Sequence, residues 1–259
     1  MIDLFLARRV AVTAAEAAGA VLGPDAAFGV RAKGGDGDVV TDLDDRAEKI
    51  ILGHLRAAFP GHAVLAEESG MNGSAGGPLW VVDPLDGTHN LTIGLPAYSV
   101  GVALCLDGLP SVGVIHDPVT RRTWSAVRGD GVRGLDPAQA RPRPRPIVSW
   151  VQGYGVGPGD PAASSYKQAL TLTSQRVLQL WAPQLTWIML ARGAIDGIVA
   201  YRTGAVDLPA GALIAAEAGV VLADLAGLPY DLRVEGPAEH SFVAARPERL
   251  PSLLAVLSG

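Results

Sequence analysis

Residues 79–90 read Leu79-Trp80-Val81-Val82-Asp83-Pro84-Leu85-Asp86-Gly87-Thr88-His89-Asn90, and this stretch decides how the rest of the chain is read. Four apolar residues predict a buried strand that delivers Asp83 at its end. Pro84 and Gly87 then turn the chain sharply. Two carboxylates three residues apart in a turn can converge on one point, as hard divalent cations require of oxygen ligands. After Asp86, the amides of Gly87 and Thr88 begin a turn or short helix whose free N–H groups suit an anion. Taken alone, the segment also reads as an ordinary Asp-Gly turn with a capping aspartate.

Two further acidic elements lie on either side. Upstream, Ala66-Glu67-Glu68-Ser69-Gly70 follows the apolar run 63–66. Downstream, Asp207 opens the apolar stretch 208–219, where by itself it reads as a helix N-cap with Pro209 in the first turn. Ahead of both, residues 42–59 predict an amphipathic helix capped by Thr41 or Asp42, with Ala47, Ile50, Ile51, Leu55, Ala58 and Phe59 on one face. Apolar runs 98–106, 111–116 and 123–127, separated by Asp107-Gly108 and Asp117-Pro118, predict an antiparallel meander. Residues 137–146, PAQARPRPRP, cannot sit in a sheet centre and read as a linker. Beyond it, strands are expected near 147–151, 176–180, 195–201 and 220–223. Helices are expected near 162–173, 183–192, 207–218 and 247–257, giving an α/β pattern with a sheet covered on both faces. The expected division is an α+β domain over residues 1–140, carrying most of the acidic positions, and an α/β domain over 141–259 that closes the site.

The composition excludes several classes. With 259 residues, 49% of them hydrophobic, and a net charge of −5, the chain is too apolar and too weakly charged to be disordered. Cys105 has no partner for a disulfide, and its apolar setting predicts a buried thiol. The acidic balance argues against a general nucleic-acid binder, which needs a basic surface. No apolar stretch reaches the roughly 20 residues that span a bilayer. In the N-terminal segment, Leu4, Ala7, Val10, Ala11, Ala14, Ala18 and Val21 recur at helical spacing, and Glu16 interrupts any signal-peptide core. A cytoplasmic protein without membrane attachment is expected.

The ordered set GDVVTDLDDRAE, LAEES, WVVDPLDGTHN and VDLPAGALIAAEAG resembles the inositol monophosphatase family, from about Lys33 to Leu225. The resemblance implies a layered αβαβα sandwich, usually a homodimer, and a magnesium-dependent, lithium-sensitive phosphomonoesterase. Its substrate would be a small phosphorylated polyol, sugar or nucleoside, hydrolysed through a metal-activated water. By position, Glu67, Asp83 and the Leu85 carbonyl would hold one Mg2+ and Asp83, Asp86 and Asp207 a second. A third, weaker ion would involve the Glu67 region. Gly87 and Thr88 would bind phosphate through backbone amides. Asp44 would pair with Thr88 to orient the attacking water, with Glu67 also in the catalytic set, and Lys33 would reach the site from a loop.

The pattern departs from the family where the substrate is read. Val206 replaces the usual Trp before the last Asp, and a substrate-contacting glutamate of inositol-specific members falls on Ala200. A ring-lining Gly-Ser/Thr-Ala signature is replaced within Trp181-Ala182-Pro183-Gln184. His89 stands where the family's DGTTN has its second threonine. Arg202 and Trp181 would suit a second anion or a flat ring; otherwise Arg202 pairs with a surface carboxylate and Trp181 is core. The alternative function is a non-catalytic relative that binds protein or RNA through Arg141, Arg143 and Arg145.

Overall fold

Strands apolar on both faces must be covered on both sides, and this requirement builds the layers of the computed structural model. It describes residues 2–23, 26–33, 37–73, 76–138 and 143–257. The central sheet runs β4 (Gly70–Asn72), β3 (Ala63–Ala66), β5 (Leu79–Asp86), β6 (Ser99–Leu106), β7 (Leu109–Asp117), β8 (Arg122–Val127) and β9 (Val132–Arg133), in that spatial order. From β5 onward every neighbouring pair is antiparallel, so the expected meander is present.

One face of this sheet carries α1 (Leu4–Gly19) and α2 (Asp42–Ala58). Asp3 caps α1. Thr41 caps α2 in a reciprocal box with Asp44. The other face carries α5 (Pro183–Ala191) and α6 (Pro209–Glu217), whose side chains are mostly apolar on every side, as helices between two sheets require. Gly113 lets α6 approach β7 closely, because a Cβ there would stand 2.7 Å from the Ala210 carbonyl oxygen.

The second sheet has the order β11 (Arg176–Leu178), β10 (Ile147–Gln152), β12 (Gly197–Gly204), β14 (Glu239–Ala245) and β13 (Val221–Ala223). One face packs on α5 and α6. The other packs on α4 (Pro161–Thr173) and α7 (Leu250–Leu257). The whole is therefore an αβαβα sandwich. A hairpin of β1 (Val30–Lys33) and β2 (Asp38–Thr41) and the one-turn helix α3 (Thr88–Thr92) lie at the site described below.

Three features differ from the sequence reading. β14, an interior antiparallel strand, was not anticipated, because Glu239, His240 and Ser241 mask the short apolar run Phe242–Ala245. A separate 3-10 turn, Ala205–Asp207, precedes α6, whose N-cap is Leu208 without a side-chain bond, so Asp207 does not cap that helix. Of the linker arginines, Arg143 donates to Asp196 and to the Ala194 carbonyl, and Arg145 to the Leu172 carbonyl. Arg141 and the division at 140/141 lie outside the described residues. Among the described residues, no helix is long and apolar enough to cross a membrane.

Candidate metal and phosphate site

Residues three apart on a regular strand point to opposite faces, so Asp83 and Asp86 should diverge. They do not, because the pairing of β5 with β6 slips between them. The slip follows Pro84, which cannot donate to a ladder. As a result Val82 and Leu85 both face α1 and α2, and both aspartates turn the other way. There they meet Asp207, and carboxylate oxygens of the three residues lie within 4.8 Å of one another. Glu67, just past the end of β3, places its carboxyl in hydrogen-bonding contact with Asp83. Two carboxyls in contact require a proton or a cation between them.

The electrostatics follow from this crowding. Burial, reinforced by the neighbouring carboxylates, pushes Asp83 and Asp86 well above the ordinary carboxylate range. Burial and Glu67 push Asp207 up to about 7. Glu67 is raised by burial, against the opposing charge of Lys33. Lys33 Nζ lies 2.9 Å from Glu67 Oε1 and 2.7 Å from Glu68 Oε1. Among the described residues, Asp83 Oδ1 is buried without a hydrogen-bond partner. A hard, all-oxygen donor set with an orphaned carboxylate oxygen fits a divalent cation.

Beside this cluster, Thr88 Oγ1 lies 2.8 Å from Asp44 Oδ1 and 3.0 Å from the Leu85 carbonyl oxygen. The hydroxyl has one proton. Given to Asp44, it leaves the Leu85 carbonyl free to face a cation. Asp44 is fully buried, and burial raises its pKa, while donors on Thr41 and Thr88 oppose the shift. Gly87 holds a left-handed φ of 99°, and a Cβ there would stand 2.8 Å from the Ala97 carbonyl oxygen. Only glycine turns the chain here at low cost.

Asn90 fastens this turn to the second half of the chain, donating from Nδ2 to the Ala97 and Leu180 carbonyls at 2.7 and 2.6 Å. Asp86 Oδ2 is held by Ser99 Oγ at 3.0 Å and the Gln184 amide at 2.9 Å. These supports, with Tyr154 tilted against His89 at 5.9 Å between centroids, were not read from the sequence. The Gly153-Tyr154-Gly155 run, an aromatic set between two glycines, was the available signal for Tyr154.

A cavity of about 920 Å3 opens over the site, lined by Lys33, Glu67, Asp83, Leu85, Asp86, Gly87, Thr88, Arg202 and Asp207. Asp44 lies beneath it, behind Thr88. Ala200 does not line it. Ala200 is fully buried in the layer between the sheets, with Trp187 and Phe242 in the same core, so it faces no substrate. Arg202 reaches the rim but is matched there by Glu239, with Nε 2.6 Å from Oε2.

Residues 5–256 match the sequence profile of the inositol monophosphatase family. The Nus factor SuhB of Pasteurella multocida is 31% identical over 73% of this chain and 73% of its own length. The histidinol-phosphatase of Mycobacterium tuberculosis is 33% identical over 79% of each chain. The solved inositol monophosphatase of Anabaena (Nostoc) superposes with a TM-score of 0.81 at 28% identity, covering 99% of this chain and 97% of that one.

Proposed function

This chain belongs to the inositol monophosphatase family, and from that premise we propose that it is a divalent-metal-dependent phosphomonoesterase acting on a small phosphorylated polyol, sugar or nucleoside. The observation that carries the reading is the convergence of Asp83, Asp86 and Asp207 beside the Thr88–Asp44 pair. Glu67, Asp83, the Leu85 carbonyl, Asp86 and Asp207 would hold two or three Mg2+ ions. When bound, such ions supply charge neutralisation to the phosphate and acidify water.

The chain's own groups do the rest. The Gly87 and Thr88 amides at the start of α3 bind and orient phosphate oxygens. Asp44 takes the Thr88 hydroxyl proton as a hydrogen bond, which leaves the Thr88 oxygen as an acceptor toward an attacking water. A water so held is aimed at phosphorus, and positioning of this kind is most of what phosphoryl transfer asks of a protein. Lys33 keeps Glu67 and Glu68 from repelling each other. A homodimer, lithium sensitivity and a cytoplasmic location belong to the same proposal and rest on the family resemblance.

The second reading, a non-catalytic binding protein, draws on the relative named a Nus factor. It finds less support in the linker, since Arg143 and Arg145 are bound within the chain. The deciding experiment is magnesium-dependent release of phosphate from a panel of monoesters. Release abolished by chelator supports the enzyme; none from any monoester favours the binding protein.

A further inference from the structure

Trp181 is 58% exposed and lines the cavity. Its backbone is left-handed, with φ of 55°. A bulky side chain adopts that conformation only where its surroundings impose it. Here the constraints sit on both sides. Leu180 is held by Asn90 Nδ2, Ala182 packs against Gly87, and the Gln184 amide is bound by Asp86. The Trp181 backbone is thereby anchored beside the turn that would hold phosphate, with the indole at the cavity surface. Tyr154, tilted against His89, lines the same cavity.

Several of the polar side chains that line the cavity are already engaged. Gln152 accepts from Trp150 Nε1 and donates to the Val156 carbonyl. Ser149 donates to the Leu178 carbonyl and Thr186 to the Pro183 carbonyl. Arg202 is neutralised by Glu239, and the Lys167 ammonium lies 5.6 Å above the Trp150 ring. Sugar hydroxyls or a second anion drawn to these groups would have to displace internal contacts, whereas a flat ring needs only the exposed aromatic faces.

We propose that Trp181 is the specificity-determining platform of this cavity, and that the preferred substrate is a phosphate monoester whose alcohol carries a flat aromatic ring. The proposal rests on the phosphatase reading above.

The test compares 2-phenylethyl phosphate with 2-cyclohexylethyl phosphate, which is similar in size but not flat, alongside glycerol 2-phosphate and fructose 1,6-bisphosphate. The wild type should favour the phenyl ester over the cyclohexyl ester by about tenfold in kcat/KM, mainly through KM. Trp181→Ala should erase that preference and Trp181→Phe should keep most of it. Glycerol 2-phosphate should change by less than about threefold in either variant, since it makes no stacking contact. Trp181→Gly, which accepts left-handed backbone freely, should behave like Trp181→Ala if the ring, and not the strain, carries the effect. A preference unchanged in Trp181→Ala, or the bisphosphate as best substrate, would overturn the proposal. If no monoester is turned over, the phosphatase reading fails. The platform is then judged by calorimetric binding of 2-phenylethylphosphonate and 2-cyclohexylethylphosphonate. Tighter phenyl binding lost in Trp181→Ala upholds it, and equal binding overturns it.

Discussion

Thr88 and Asp44 share a hydrogen bond of 2.8 Å that joins the first turn of α3 to the first turn of α2 across 44 positions of sequence. The bond fixes which way the Thr88 lone pairs face. Thr88→Ala should therefore lower kcat by about 100-fold or more, the scale of a positioned proton-transfer group, with little change in KM. Thr88→Ser should recover most of the rate. Steady-state kinetics on the best monoester of the panel decide. A change confined to KM would assign Thr88 to phosphate binding alone.

Gly87 combines left-handed backbone with a close approach to the Ala97 carbonyl. Gly87→Ala should destabilise the fold by about 1–3 kcal/mol through strain, and should cost activity beyond what stability explains, because the phosphate turn shifts. Chemical denaturation of both proteins, paired with rates at a temperature where both are folded, measures the two effects separately.

Asp207 and Glu68 are raised to about 7 from ordinary values of 3.8 and 4.5. Between those values the folded state holds protons that the unfolded state releases. The stability they contribute is present at low pH and is lost as pH rises through about 7. Chelated protein should therefore melt at a lower temperature at about pH 8 than at about pH 5. Magnesium should restore most of the loss, because a ligand that binds only the native state stabilises it. Thermal melts with chelator and with Mg2+ across this range test the sign. A chelated protein more stable at the higher pH would contradict it.

Arg202 is held by an exposed carboxylate at the cavity rim. Replacing it with alanine should alter kcat/KM for a monoester by less than about threefold, as expected of an exposed ion pair. A large loss confined to substrates with a second phosphate would show that Arg202 leaves Glu239 to bind an anion.

The sequence made the strands around 79–86 and 98–127, the capped helix α2 and the acidic positions legible, since each has a local cause: alternating or continuous apolar runs, a cap, a proline. Asp207 was different. Its neighbours Leu208 and Pro209 make it look like an N-cap, and only the 3-10 turn Ala205–Asp207, which it ends, aims it at Asp83 instead. Ala200 was misleading for a related reason. A slip in the pairing of β12 with β14 lies just past Ala200, and distance along the chain from Asp207 does not report facing through such an irregularity. The exposure of Trp181 was likewise open in the sequence, because it depends on the bonds that hold Leu180 and Gln184 from elsewhere in the chain.

The central claim is that the Asp83 cluster is a metal-dependent phosphatase centre, and the most direct measurement is phosphate release by the wild type and by Asp83→Asn as magnesium is titrated. The account predicts that release by the wild type saturates with Mg2+ and vanishes on chelation. Asp83→Asn should lose about 1000-fold or more, because several kcal/mol of charge stabilisation depend on that carboxylate. Magnesium-independent release, or near-normal turnover by Asp83→Asn, would contradict it.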